Sequence, residues 1–215
     1  CDNAPVFEGK PREHQLVRTD IWQHVDNDRC GLVPDVLDPS FDLRRYAEYI
    51  LDTVAILIPC QQQRWCYSDR TFGDIYAART MTRAEVEHAV SMFFTDVRLK
   101  TYIEIRPADA MPIPYVIAYA ALIKGLFYAP TSLDAMDGLF ADVRRDDYLA
   151  AQGALMERGY EAEVYGRPVA ELCDRIVKIA RDGLADEEQG FLEPLADLVA
   201  RRVTLADLAE RSERA

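Results

Sequence analysis

The chain has 215 residues, 49% of them apolar, with 25 Lys and Arg against 37 Asp and Glu and a net charge of −12. That length fits one domain or a domain plus a small appendage, and the Leu, Ile, Val and Phe content excludes a disordered tail. The sign of the charge argues against nucleic acid and anionic membrane surfaces as partners, because both would repel the molecule.

The opening, CDNAPVFEGK, has no basic n-region and no apolar h-region, so no signal peptide is expected. The first fifty residues are punctuated by Pro5, Pro11, Pro34 and Pro39 and predict a loop-rich region whose first short strand is Gln15–Arg18. Leu43, Tyr46 and Ile50 stand at helical spacing and predict a helix over Asp42–Leu51. The β-branched run Val54–Pro59 reads as a strand buried on both faces, with Gln61–Tyr67 as its antiparallel neighbour. Ser68 or Asp69 is expected to cap a helix over Thr71–Ala78. Thr82 followed by Glu85 is a capping-box pattern that opens a helix from Arg83 to Phe94, with Val86, Ala89, Val90 and Phe93 on one side. Thr101–Arg106 alternates as a strand.

From Pro112 onward the chain reads as helical, over Pro114–Tyr128, Ser132–Ala141, Asp146–Glu157, Val169–Asp182, Gly190–Arg202 and Leu205–Ser212. Gly183 is placed as a C-terminal glycine cap and Thr204 as an N-cap. Met111–Tyr128 is the longest apolar stretch, but Pro112, Pro114 and Lys124 interrupt it, which predicts a buried helix and no membrane span. The expected fold class is α+β, a single domain over 1–215 with mixed strands and helices in 1–110 and helices in 111–215. Cys1, Cys30, Cys60, Cys66 and Cys173 are odd in number and scattered, and read as reduced thiols of a cytoplasmic protein.

Common enzyme signals are missing. Neither G-x-x-x-x-G-K-[ST] nor G-x-G-x-x-G occurs, and His14, His24 and His88 form no H-E-x-x-H. The three histidines read as surface or polar-network residues. One stretch differs, Tyr102-Ile103-Glu104-Ile105-Arg106-Pro107-Ala108-Asp109. Glu104 and Arg106 lie two apart in a strand and share a sheet face. Two readings stay open: an Arg–Glu pair that covers the sheet, or a carboxylate for Mg2+ beside an Arg that faces phosphate.

The run from Asp96 to Asp109, DVRLKTYIEIRPAD, closely resembles the VRLK-x-Y-[LI]-E-x-R-x-AD segment of plant-type and proteobacterial glutamate–cysteine ligases. Three more stretches agree in order and spacing. Asn3–Pro11 (NAPVFEGKP) is similar to the family's NSPF-x-EGKP, and Val17–Leu32 (VRTDIWQHVDNDRCGL) to its MRS-x-IW-x-x-TD-x-DR-x-G-[ML]. Lys178–Leu184 with Gly190–Leu192 resembles the family's LAKDGL…GFL.

The resemblance implies part of a glutamine-synthetase-like antiparallel sheet followed by helices. It also implies an ATP- and Mg2+-dependent ligase that joins the γ-carboxylate of glutamate to cysteine through a γ-glutamyl phosphate, the first step of glutathione-type thiol synthesis. On it, Glu104 would be a Mg2+ ligand and Arg106 a catalytic phosphate and nucleotide contact. Arg18 would bind the glutamate α-carboxylate, with Asp20 and Trp22 shaping that pocket. The family's usual chain is longer, and its first acidic metal-binding strand precedes the motif with which this chain opens. The chain then corresponds to a C-terminal portion that self-associates or pairs with an N-terminal half. Two alternatives stay open beside this one: a carboxylate–amine ligase with another amine acceptor, and a non-catalytic fragment that needs that half.

Overall fold

The computed structural model describes residues 3–60 and 64–213. β1 (Val6–Phe7) and β2 (Lys10–Pro11) form a hairpin. Its turn residues, Glu8 at φ 50° and Gly9 at φ 77°, both adopt the left-handed conformation that a two-residue hairpin turn favours. Next come α1 (Val17–Gln23), β3 (Cys30–Gly31), α2 (Leu43–Asp52), β4 (Leu57–Cys60) and β5 (Arg64–Tyr67). They are followed by α3 (Phe72–Tyr76), α4 (Arg83–Ser91), β6 (Phe94–Thr95), β7 (Val97–Leu99) and β8 (Ile103–Ile105). The rest is α5 (Ile113–Phe127), α6 (Pro130–Phe140), α7 (Arg145–Arg158), β9 (Glu163–Val164), β10 (Arg167–Pro168), α8 (Val169–Asp182), α9 (Glu193–Arg201) and α10 (Leu205–Glu213). The fold class is α+β. By internal contacts the chain divides into two compact units, residues 3–20 with 109–213, and residues 21–108.

The unit of residues 21–108 is built on Ala55, Phe72, Ala89 and Phe93, all essentially inaccessible, with Tyr46, Ile50, Val90 and Met92 around them. Its helices start on side-chain caps. The Asp42 carboxylate accepts from the Arg45 N–H at 3.0 Å. Thr82 and Glu85 close the expected capping box. Thr71, and not Ser68 or Asp69, caps α3, accepting from the Asp74 N–H at 3.0 Å. The strands pair only in twos among the described residues: β4 with β5 and β7 with β8 antiparallel, β3 with β6 parallel. β4 is half-buried, in contrast to the two-sided burial expected of Val54–Pro59, because β5 is exposed along its length. The expected partner strand is found over Arg64–Tyr67, and residues 61–63 lie outside the described residues.

The β4–β5 register corrects the reading of the cysteines as free thiols. Ile58 faces Cys66, so Cys60 and Cys66 are diagonal neighbours across the ladder, and their sulfurs are bonded with Cα atoms 5.9 Å apart. Cys30 and Cys173 are free, and Cys1 lies outside the described residues. Another correction concerns Gln15–Arg18, where the chain is not a strand but enters α1 at Val17. Val17 and Ile21, four apart, supply a helical apolar pair that a four-residue window hides.

In the unit of residues 3–20 and 109–213, α5 and α8 meet closely. A Cβ at Gly125 would overlap the Ala180 carbonyl, and one at Gly183 would overlap the Gly125 carbonyl and the Ser132 hydroxyl. Gly183 does stand at the C-cap of α8, its N–H donating to Ile179 and Ala180 carbonyls at 3.1 and 3.2 Å. Its φ of −87° is one any residue adopts, so space and not handedness requires glycine there. Thr204 caps α10 as expected, exchanging hydrogen bonds with Asp207. α5 buries Ala118, Ala121, Gly125 and Leu126 but leaves Ile113, Val116 and Ile117 exposed, so it is one-sided and not wholly buried. No single helix among the described residues is long and apolar enough to cross a membrane.

Gly125→Ala is expected to destabilise the protein by about 1–3 kcal/mol through overpacking against α8. The check is the urea midpoint of the variant against the parent; an unchanged midpoint would show that the two helices separate without cost.

Candidate functional site

β7 and β8 pair with Val97 opposite Ile105, Arg98 opposite Glu104 and Leu99 opposite Ile103. Period-two alternation then puts Arg98 and Glu104 on one face and the four apolar residues on the other. The Arg106 N–H donates to the Asp96 carbonyl at 2.9 Å, which carries the pairing one step past the strand end. Arg98 is buried, and its Nη1 donates to the Phe93 and Ser91 carbonyls at 2.8 and 3.2 Å. Its Nε and Nη2 both lie 2.6 Å from Oε2 of Glu104. Arg106 reaches the same oxygen through Nη1 at 3.4 Å. The hydrogen bond from Arg98, with the charge of Arg106 adding to it, holds the Glu104 carboxyl below its ordinary range.

The cation–aromatic layer next to this pair is equally specific. The Arg106 guanidinium lies over the Phe94 ring, 5.6 Å from its centroid, and Trp22 stacks on Phe94 with centroids 5.8 Å apart. Phe94 is placed by the stretch ahead of it. Its N–H donates to the Arg29 carbonyl and that of Asp96 to the Gly31 carbonyl, both at 2.8 Å. Gly31 has φ 79°, which glycine alone adopts freely, and Arg29 is buried against Asp26 at 2.6 Å and bonded to the Val54 carbonyl. Burial pushes the neighbouring Cys30 thiol up, so it is protonated at neutral pH.

The structure therefore brings Glu104, Arg106 and Trp22 together, and adds Arg98 and Phe94, which sequence reasoning passed over. Arg18 and Asp20 lie on α1 at the end of a segment of the other unit. On a helix, at about 100° per residue, residues two apart point to nearly opposite sides. The two are thus separated, where a strand would have aligned them. Of the histidines, His88 serves structure, its Nε2 2.9 Å from the Leu57 carbonyl and its ring beside Trp65.

Mg2+ needs near-octahedral oxygen coordination. Among the described residues no three His, Cys, Asp or Glu side chains converge, and Glu104 is a single carboxylate with one oxygen committed to two guanidiniums. These residues do not by themselves make up a Mg2+ site. The arrangement can instead present a fixed cation, Arg106, from a rigid strand end.

The sequence model of glutamate–cysteine ligase family 2 (GCS2) matches residues 2–211. The chloroplastic glutamate–cysteine ligase of Medicago truncatula is 27% identical over 95% of this chain and 42% of its own length. That of Arabidopsis thaliana is 29% identical over 95% of this chain and 41% of its own, and glutamate–cysteine ligase A of Oryza sativa subsp. indica is 27% identical over 95% and 44%. The chain spans less than half the length of these curated relatives.

Arg98→Met is expected to lower stability by about 1.5–3 kcal/mol at neutral pH, because charge-assisted hydrogen bonds to Glu104 and the Phe93 carbonyl are lost. The native Glu104 carboxyl titrates below its ordinary value of 4.5, so the pair contributes fully above that pH and fades as pH falls through the lower native value. The gap between parent and variant should narrow in acid accordingly. An NMR titration in which Glu104 does not move up toward 4.5 in the variant would assign the shift to Arg106 alone.

Proposed function

The chain belongs to glutamate–cysteine ligase family 2, and from that premise we propose that it forms part of an ATP-dependent ligase that joins the γ-carboxylate of glutamate to the amine of cysteine. A free carboxylate is a poor electrophile. Transfer of the γ-phosphoryl of ATP to it gives an acyl phosphate, from which the amine expels phosphate, so ADP and phosphate leave with each amide formed. What a protein supplies to such a transfer is mainly positioning and positive charge. The observation that carries the reading is the half-buried Arg106, held between the Phe94 ring and Glu104 at the end of β8. In this proposal Arg106 neutralises charge on the transferring phosphoryl group, and Arg98 and Glu104 fix it in place.

Arg18 is proposed to bind the α-carboxylate of glutamate, with Trp22, one turn further along α1, beside the substrate; Asp20, on the opposite side of the helix, is left out of that pocket. Mg2+ is expected with ATP, and Glu104 is proposed to give it one oxygen. No step is assigned to the metal, because further oxygen ligands do not converge among the described residues. The proposed location is the cytoplasm; the relatives' names place those proteins in the chloroplast.

The test is ADP release and amide formation with glutamate, each amino acid being offered in turn as acceptor, on this chain and on the product of its whole reading frame. Turnover with an acceptor other than cysteine would move the chain to a different carboxylate–amine ligase. This 215-residue chain alone is expected to fold but to make no γ-glutamylcysteine. Robust turnover by a monodisperse monomer of it would show that its own surface carboxylates complete the site. In an active full product, Arg18→Ala should raise the glutamate requirement by about ten- to a hundred-fold while leaving ATP affinity alone. Equal weakening of both substrates would make Arg18 structural. Glu104→Gln should abolish ATP turnover with the circular dichroism spectrum preserved, and normal activity would remove Glu104 from the site.

A further inference from the structure

We propose that the cavity along α7 binds a short zwitterionic peptide. Its carboxylate would meet Arg158 and Arg167, and its ammonium Asp142 and Asp147. This goes beyond the ligase reading and does not rest on it, because none of these residues belongs to the β7–β8 site. The cavity encloses about 580 Å³ and is formed wholly by residues between Gly138 and Arg167. That volume is within the usual range of small-ligand pockets.

The helix explains the shape. Asp147, Ala151, Ala154 and Arg158 recur at intervals of three and four, so they line one side of α7. The alanines make a low floor between a carboxylate at one end and a guanidinium at the other. The facing wall is the β9–β10 hairpin. Arg167 stands opposite the buried Val164, and cross-strand partners share a face, so Arg167 is on the side turned to the core. Tyr165 and Gly166 make the turn at φ 54° and 68°, and the Tyr165 ring meets Phe140 edge-on with centroids 5.8 Å apart.

The charges in this cavity are not paired with each other. Among the described residues Arg158, Arg167 and Asp142 have no ion pair and no side-chain hydrogen bond. Asp147 accepts only from the Arg144 N–H, at 3.0 Å, through one of its oxygens. Elsewhere in this unit arginines do pair with carboxylates, Arg12 with Asp207, Arg201 with Asp197 and Arg202 with Asp174. Here the helix holds the two signs apart. Asp147 and Arg158 are eleven residues apart, or about 16 Å along the axis. A simple anion would face the carboxylates as well as the guanidiniums, and a simple cation the reverse. A zwitterion satisfies both ends and adds no net charge to a chain at −12. The span sets its length. A free amino acid is too short, whereas a tripeptide at about 3.5 Å per residue covers about 10 Å and the arginine side chains reach across the rest.

The probe is triglycine, titrated into the isotope-labelled 215-residue chain and followed by NMR amide shifts. The amides of Ala151, Ala154 and Gly166 should move together on one saturating curve. N-acetyl-triglycine lacks the ammonium and triglycine amide lacks the carboxylate, and each should bind about ten-fold or more weakly. Arg158→Gln and Arg167→Gln should weaken triglycine by about the same factor. Arg83→Gln, in the unit of residues 21–108, should leave its binding unchanged. Asp142→Asn replaces either arginine variant if that variant fails to fold. No movement of those amides up to about 10 mM triglycine would overturn the proposal. So would shifts centred elsewhere, equal binding of the blocked peptides, or cavity variants that bind like the parent. The ligase reading is tested by turnover, which none of these titrations measures, so either reading can fail without the other.

Discussion

Arg98 reaches Glu104 only when β7 and β8 pair in one register, with Arg98 directly opposite Glu104. A slip of one residue would turn its buried guanidinium to the other face, away from the carbonyls of Ser91 and Phe93. The interaction thus fastens the hairpin to the end of α4 and fixes where β8 terminates. From that end Arg106 takes its place over Phe94, and Phe94 in turn is aligned by Arg29 and Gly31. One buried cation sets the position of a second, half-buried one, and the second is the group with chemistry to offer.

Seen this way, Glu104 has a double character. Its Oε2 takes hydrogen bonds from both guanidiniums, which is the sheet-covering pair that alternation in the strand already suggested, although the main partner is Arg98 and not Arg106. A carboxylate held between two guanidiniums stays charged to lower pH than a free one, and it restrains Arg106. The structural and the functional readings of this residue are therefore compatible.

What was legible in the sequence follows the range of the interactions. Val169–Asp182 is a helix to the residue, and the Thr82–Glu85 and Thr204–Asp207 caps are as expected, because helix caps are settled within four residues. Strand partners are settled by residues far apart in the chain. The diagonal meeting of Cys60 with Cys66, the role of Arg98 and the parallel pairing of β3 with β6 all depend on register, which no local pattern carries. For the site, Glu104 and Arg106 stood out as charges within an apolar strand, and Trp22 through its motif. Phe94 looked like the last residue of a helix, and only the turn into β6 reveals it as a platform.

The contact between α5 and α8 has a consequence for how this chain can change. Gly125 abuts the Ala180 carbonyl, and the Gly125 carbonyl in turn fills the space in front of Gly183. Neither position can gain a methyl group unless the helices move apart, and once they have moved, the second substitution meets less resistance than the first. The two glycines are therefore epistatic: whichever is replaced first bears most of the cost of parting the helices. Two sites separated by 58 residues of sequence behave as a single locus of constraint.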